Sequence, residues 1–483
     1  MQQNEPIVHV SSEVGQLKRV MIHSPDAGLG KVVPSKAQDW LFEDIIHLEM
    51  MRSNEYDFFI KILLYFLDET KIKGKIAEID DPANKRNFYK PHEPTYFQSD
   101  KVVEPQFLLS EILANDDVKL RLVSAIAAVE RCSFAKQDAL MRLDNKQLAK
   151  TLISGAMPTR EMIFPPVPNF IFTRDIGIAI NDHILLNRPA KVVRLRESLM
   201  MKYIFHYHPI FAAYTDKILE MQEDDHHFFM HDDDKDLHQV TLEGGDVMMV
   251  SPNHLLIGHS ERTSYRAINQ AIRTLFEKDI VQKVTVVQIP KRRDFMHIDT
   301  IFTQVKRDVW VVFGLLSKHN QIQHQHYYPD DNLIWREKGI KKPKLVQFQK
   351  GRESQPLSFD FLEDLLDDIS QNDLQAKSPT RFIYSGDGEF PFELREQWTD
   401  SCNVLALKDG VVIGYDRNTK TAEAFKKQGF QVVEAETLLD QFEANQLQPA
   451  QVENTLILLP SGELSRARGG SHCMSMPLLR GTI

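Results

Sequence analysis

The sequence predicts a mixed α/β fold of repeated modules arranged around a shared centre and interrupted by a helical insert. Three observations lead there. Apolar strands joined by short Asn, Asp, Gly or Pro turns recur along the chain. Several of these hairpins run on into a helical pattern and then one more strand. Between about Asp100 and Ile153 the turns thin out and a helical apolar period takes over.

The elements follow in order. Gly15 to His23 reads as a strand that could belong to a fifth module. The insert is carried by Phe107-Leu-Leu-Ser-Glu-Ile-Leu113 and Leu120 to Glu130, and Pro165, Pro166 and Pro168 mark the return to strand, because proline excludes helix and extends the residue before it. Four hairpins come next, at Gly177 to Leu186, Val247 to Ile257, Thr300 to Phe313 and Asn403 to Tyr415. A helical period over Glu261 to Lys278 precedes the strand at Val284, and another over Thr419 to Gln428 precedes Phe430-Gln-Val-Val433. From about Ser317 to Asp400 the chain is polar, with a His- and Tyr-rich stretch at Gln321 to Tyr328 and an amphipathic acidic helix near Phe359 to Ile369. Its apolar side chains, Leu365 and Leu366 among them, suit the covering of a neighbouring surface or packing on their own domain. The division that results is 1–78 as the first part of a catalytic α/β unit, 79–161 as the helical subdomain, and 162–483 as the remainder, with an elaboration at about 317–400.

Composition narrows the function. With 483 residues and 42% apolar side chains the chain can bury a large core. A formal charge of −10 argues against nucleic acid or an anionic membrane as partner. No apolar stretch is long enough to span a bilayer. Three widely spaced cysteines make neither a disulfide framework nor a paired metal site, and Met1 to Glu5 lacks the basic and apolar regions of a leader, so a reduced, cytoplasmic setting is expected. The runs at Glu223 to His227 and His231 to Lys235 read as solvated loops rather than metal ligands.

The chemistry concentrates in four motifs. Cys473, in Arg468-Gly-Gly-Ser-His-Cys-Met-Ser-Met-Pro477, has two glycines, an arginine and His472 beside it, which is expected to favour a thiolate. Cys132 and Cys402 read as ordinary small apolar residues. In Asp294 to Thr300 a strand reading puts His297 and Asp299 on one face. Thr241-Leu-Glu-Gly-Gly-Asp246 sets Glu243 and Asp246 around a glycine pair that permits close approach. In Pro168 to Asp175 alternation places Asn169, Ile171, Thr173 and Asp175 together, with Phe172 on the opposite face. Taken singly, each has an ordinary reading: a core histidine, a plain turn, a buried strand.

Together and in this order, Asn-Phe-Ile-Phe-Thr-Arg-Asp, Glu-Gly-Gly-Asp, Met-His-Ile-Asp-Thr and Gly-Gly-Ser-His-Cys-Met-Ser-Met-Pro-Leu closely resemble the arginine deiminases of the guanidine-modifying (amidinotransferase) superfamily. Glu13-Val-Gly-Gln-Leu-Lys18, Leu41 to Ile45, Asn54 to Phe58, Ser260 to Thr263 and Asn403 to Leu407 extend the likeness. Ala467, where the family usually has glycine, and longer segments at 223–237 and 317–400 depart from it. The resemblance implies a five-module α/β propeller, pentein-like, and hydrolysis of L-arginine to L-citrulline and ammonia. It implies Cys473 as nucleophile, His297 as acid and base, Glu243 orienting His297, and Asp175 and Asp299 on the guanidinium. Asn169, Arg194 and Arg262 would hold the α-carboxylate, Phe172 would pack on the stem, Asp246 would join the substrate site and Arg468 would gate it. No cofactor or metal is implied, and a homo-oligomer is expected. The rival readings are an amidinotransferase, which passes the amidino group to an amine, and an arginine-binding protein without turnover.

Overall fold

The computed structural model describes residues 5–25, 27–42, 44–222, 239–314, 317–318 and 344–483. The charge runs at Glu223 and His231 and the His- and Tyr-rich stretch at Gln321 lie outside the described residues. The fold is mixed α/β.

Among the described residues the strands form five sheets with a common plan, an antiparallel pair extended by a parallel strand. Ile178–Ile180 and His183–Leu185 form one pair, joined in parallel by Ile218–Leu219. Val247–Ser251 and His254–His259 form the next, joined by Lys283–Gln288. Phe302–Lys306 and Val309–Val312 are joined by Arg381–Tyr384. Leu405–Lys408 and Val411–Tyr415 are joined by Thr455–Leu459. The remaining sheet pairs Leu17–Met21 with Met476–Arg480 antiparallel and with Val102–Val103 in parallel. A parallel strand requires a crossover, and helices supply it.

One crossover shows why the sequence folds this way. In Tyr265–Glu277, the Ser264 hydroxyl caps the first turn at the Ala267 amide, while Ala267, Ile268, Ala271, Ile272, Leu275 and Phe276 bury one stripe. The helices of the insert, Pro105–Ile112, Asp116–Val129, Phe134–Met141 and Asn145–Ser154, share a single apolar cluster with strand residues such as Ile184, Leu255 and Val284. No helix of the described residues is long and apolar enough to cross a membrane.

Two sequence expectations need correction, and a third, left with two readings, is decided. Asn169 to Asp175 is not a strand: Pro168–Ile171 is a 3₁₀ turn with proline at its first position, and the turns continue through Phe172 N–H to Asn169 O and Asp175 N–H to Phe172 O. His297 and Asp299 do not share a strand face either. Ile298–Thr300 is another 3₁₀ turn, and the strand begins only at Phe302. The third concerns the elaboration at 317–400. Leu362, Leu365, Leu366 and Ile369 are buried in one apolar cluster with Trp310 and Val311, and Trp310 Nε1 donates to Ser370 Oγ at 2.9 Å. These leucines therefore face the chain's own core rather than a neighbour, and Arg381–Tyr384 is an integral strand.

Candidate active site

Turns, rather than strands, present the chemistry. The segment around Cys473 folds back because Arg468 adopts a left-handed φ of 60° and the glycines after it allow contact. A Cβ on Gly469 would come within 2.2 Å of the Phe172 ring, and one on Gly470 within 2.4 Å of Asn403 O. Cys473 N–H then donates to Asn403 Oδ1 at 2.9 Å, and its carbonyl accepts from Arg174 N–H at 3.0 Å. Gly245 serves His297 in the same way, since a Cβ there would lie 2.5 Å from Nδ1.

His297 is buried with Nε2 3.0 Å from Glu243 Oε2 and Nδ1 3.9 Å from Asp175 Oδ1. Burial opposes charge on the ring, but Asp175 and the hydrogen bond to Glu243, with Asp246 behind, lift it to about 10. His297 is therefore an imidazolium at neutral pH. Glu243 is wholly enclosed; burial pushes its carboxyl up, yet Arg262, His297 and Arg194 hold it far below the usual range. Asp299 presents Oδ2 to the His472 Nδ1 at 2.9 Å and to Cys473 Sγ at 3.6 Å, while its Oδ1 has no hydrogen-bond partner.

The thiol departs from expectation. Burial first, and then Asp299, Asp175 and Asp400, raise Cys473 well above the ordinary thiol value. Glycines, arginine and histidine are adjacent in sequence, but the charges that dominate around the sulfur are carboxylates. With no further cation the side chain is a thiol.

Asn169, Phe172, Asp175, Arg194, Glu243, Arg262, His297, Arg468 and Cys473 line one cavity. Phe172 joins Asp175 there because the segment is a turn. Asp299 stands beside the cavity against Cys473. Asp246 is set back from it: its oxygens accept from Ser260 Oγ at 2.6 Å and Ile298 N–H at 3.1 Å, which braces the His297 turn. Arg194 is engaged already, donating from Nη1 to Asp175 Oδ2 at 2.8 Å and to Glu243 Oε2 at 3.4 Å, and from Nη2 to Glu197 at 3.0 Å. It thus sits on a carboxylate assigned to the substrate's guanidinium.

Sequence reasoning missed Leu41, Met296, Thr300 and Asp400, which also line the cavity. Asp400 is buried with Oδ2 unpartnered, and burial, opposed by Arg468, takes it to about 7. The buried Arg468 guanidinium makes no hydrogen bond and stacks 3.6 Å above the Trp398 ring. Glu13 and Asn403 escaped too, although both lie in segments that carried the family likeness. Free space in the cavity is about 30 Å³, room for roughly two water centres. A larger ligand enters only if side chains move.

Asp175, Glu243 and His297 bring three ligand-type atoms within 4.8 Å of one another. Their protons and partners do not suit a metal: His297 donates to Glu243, and Arg194 spans both carboxylates. A divalent ion would have to displace a guanidinium and strip an imidazolium. What the carboxylates already hold is a guanidinium, a planar cation with paired donors.

The fold and cluster together define a mixed α/β protein whose buried cysteine, charged histidine and carboxylates surround a small cavity. The family model for arginine deiminase matches residues 38–480, and the chain belongs to that family. It is 29% identical to arginine deiminase of Borreliella afzelii over 486 residues, covering 99% of this chain and 98% of that one. It is 28% identical to arginine deiminase of Bacillus cereus strain B4264 over 480 residues, covering 99% of each. Among solved structures, an amidinotransferase from Microseira wollei in saxitoxin biosynthesis is 13% identical with a TM-score of 0.48, covering 98% of this chain and 97% of that one. Dimethylarginine dimethylaminohydrolase from Pseudomonas aeruginosa, complexed with citrulline, is 16% identical with a TM-score of 0.35, covering 65% and 79%.

Proposed function

We propose that this member of the arginine deiminase family hydrolyses L-arginine to L-citrulline and ammonia through a thiouronium ester on Cys473. The observation that carries the reading is the setting of the sulfur, 3.6 Å from Asp299 Oδ2: a thiol kept protonated by burial and by Asp299, Asp175 and Asp400 is activated by the arrival of a cation. Arginine brings that cation on the carbon to be attacked. With its guanidinium against Asp175 and Asp299, the carboxylates are neutralised, and Sγ gives its proton to water leaving the cavity and adds to the guanidinium carbon. His297, charged and held by Glu243, gives its proton to the departing nitrogen, and ammonia leaves. Neutral His297 then takes a proton from water, which adds to the thiouronium carbon; collapse expels Cys473 and leaves citrulline. Seating the guanidinium on Asp175 requires Arg194 to let go, and the released Arg194, with Arg262 and Asn169, is then available to the α-carboxylate. Arg468 is free to close over it.

The same reading includes a five-module α/β propeller, supported by five sheets of one plan, with the helical subdomain at 79–161 between 1–78 and 162–483. It includes a cytoplasmic setting without nucleic acid, membrane or cofactor, and a homo-oligomer, for which Phe134 and Val192, 85% and 75% exposed, offer apolar surface. Incubation with L-arginine, scoring citrulline and ammonia in equal amounts, tests the activity. Guanidino compounds formed from added amines, with no ammonia, would point to amidino transfer instead.

A further inference from the structure

A buried line of charge runs behind the nucleophile, away from the cavity. His472, next to Cys473, touches a carboxylate at each ring nitrogen: Asp299 Oδ2 is 2.9 Å from Nδ1, and Glu13 Oε2 is 3.3 Å from Nε2. Arg174 lies beyond, with Nη1 and Nη2 each 3.5 Å from a Glu13 oxygen. Glu13, His472, Asp299 and Arg174 are all buried. Burial would push Glu13 up, but Arg174 and the His472 hydrogen bond hold it below the usual carboxylate range, and Asp299 is likewise lowered against its burial. Both carboxylates are therefore acceptors, and each faces one nitrogen of the His472 ring.

Glu13 reaches this place through the fold. Leu17–Met21 pairs with Met476–Arg480, and Gly15 lies against Gly481 so closely that a Cβ would meet its carbonyl oxygen at 2.1 Å. Arg480 Nη1 binds Gly15 O and Ala406 O, both at 2.8 Å. Residue 13 precedes the 38–480 range of the family match, yet it is two hydrogen bonds from the residue that faces the sulfur.

We propose that Glu13 is a positioning residue for the reaction: by holding the His472 ring at Nε2, it fixes that ring on Asp299 and offsets part of the Asp299 charge at Cys473. The charged or titratable groups facing the His472 ring are Asp299 and Glu13 at its nitrogens, Arg174 and Arg480 across Glu13, and Cys473 beside it. Without the Glu13 carboxylate the ring loses the contact at Nε2 that holds it against Asp299. Asp299 then acts on the sulfur with less of its charge offset. The inference rests on Cys473 as nucleophile, but its readout needs no turnover.

The test is the pH profile of Cys473 alkylation by iodoacetamide without arginine, read by peptide mass, in Glu13→Gln and Glu13→Asp. Glu13→Gln is expected to alkylate about tenfold more slowly at fixed pH, equal to a displacement of about one pH unit. Glu13→Asp should recover much of the difference, and kcat for citrulline should follow the same order with KM within about threefold. A Glu13→Gln profile that superimposes on the unmutated one, or equal losses in Gln and Asp, overturns the proposal. If Glu13→Gln does not fold, His472→Asn removes the same link from the other side, and an unmoved profile there overturns it equally. Should the profile move while the unmutated protein makes no citrulline, the hydrolase reading fails and this one stands.

Discussion

Two buried histidines divide this molecule. His254 bridges Asp373 Oδ2 at 2.6 Å and Thr285 Oγ1 at 2.7 Å, a carboxylate-imidazole-hydroxyl line that resembles a nucleophilic triad. His297 makes one hydrogen bond, to Glu243, and otherwise faces charges. The triad-like line is the structural one. His254 and Thr285 are wholly enclosed, both ring nitrogens are satisfied, and Asp373 is also paired with Lys283. Burial, opposed by Asp373, lowers His254, whereas surrounding carboxylates raise His297. The lesson is that a completed hydrogen-bond set stabilises a fold, while an unfinished set of charges around a cavity awaits a ligand.

The comparison breaks most visibly at the nucleophiles. Cys473→Ala should lose citrulline formation by at least about 10⁴-fold, while Thr285→Val leaves kcat within about twofold. A steady-state assay of both variants decides it, and loss of turnover in Thr285→Val would make the enclosed line part of the chemistry.

Next come the histidines. His297→Asn is expected to cost roughly 10²–10⁴-fold in turnover and to trap the adduct on Cys473, visible by intact mass. His254→Asn should cost about 1–3 kcal/mol in urea unfolding with kcat little changed. Rapid turnover by His297→Asn would remove it from acid-base work.

Arg194 sharpens the charged side of the contrast. Losing a partner for a desolvated carboxylate costs about 2–5 kcal/mol, so Arg194→Ala should lose most of the preference for arginine over agmatine. Unchanged relative kcat/KM would leave Arg194 with only its resting contacts to Asp175, Glu243 and Glu197.

The smallest effects are on stability against pH, and they have opposite signs. His297 is raised when folded, so its contribution is full below the unfolded value of about 6.5 and is lost as pH rises through about 10. His254 is lowered when folded, so its contribution is present above about 6.5 and is lost as pH falls below it. Urea midpoints of the two Asn variants across pH should diverge from the parent at opposite ends. Parallel curves would erase the distinction.

Much of this was legible in sequence. The hairpins at 178, 247, 302 and 405 carry their own turn chemistry, and the cavity gathers most residues of the four motifs. What misled was the assumption of strand alternation. Pro168–Ile171 and Ile298–Thr300 form 3₁₀ turns, whose contacts depend on hydrogen bonds three residues apart and have no period of two. The state of Cys473 was also illegible, because its charge environment comes from Asp175, Asp299 and Asp400, all distant in sequence. The amphipathic stretch around Leu365 gave its own burial correctly but not against what, since a stripe looks alike whether a neighbour or its own sheet covers it.

The pairing of Leu17–Met21 with Met476–Arg480 also orders events in time. Glu13 and His472 are 459 positions apart, and ribosomal synthesis at roughly 5–20 residues per second puts tens of seconds between them. The carboxylates of Asp175, Glu243 and Asp299 are made within that interval, and the groups around the sulfur come together only after translation has passed Cys473.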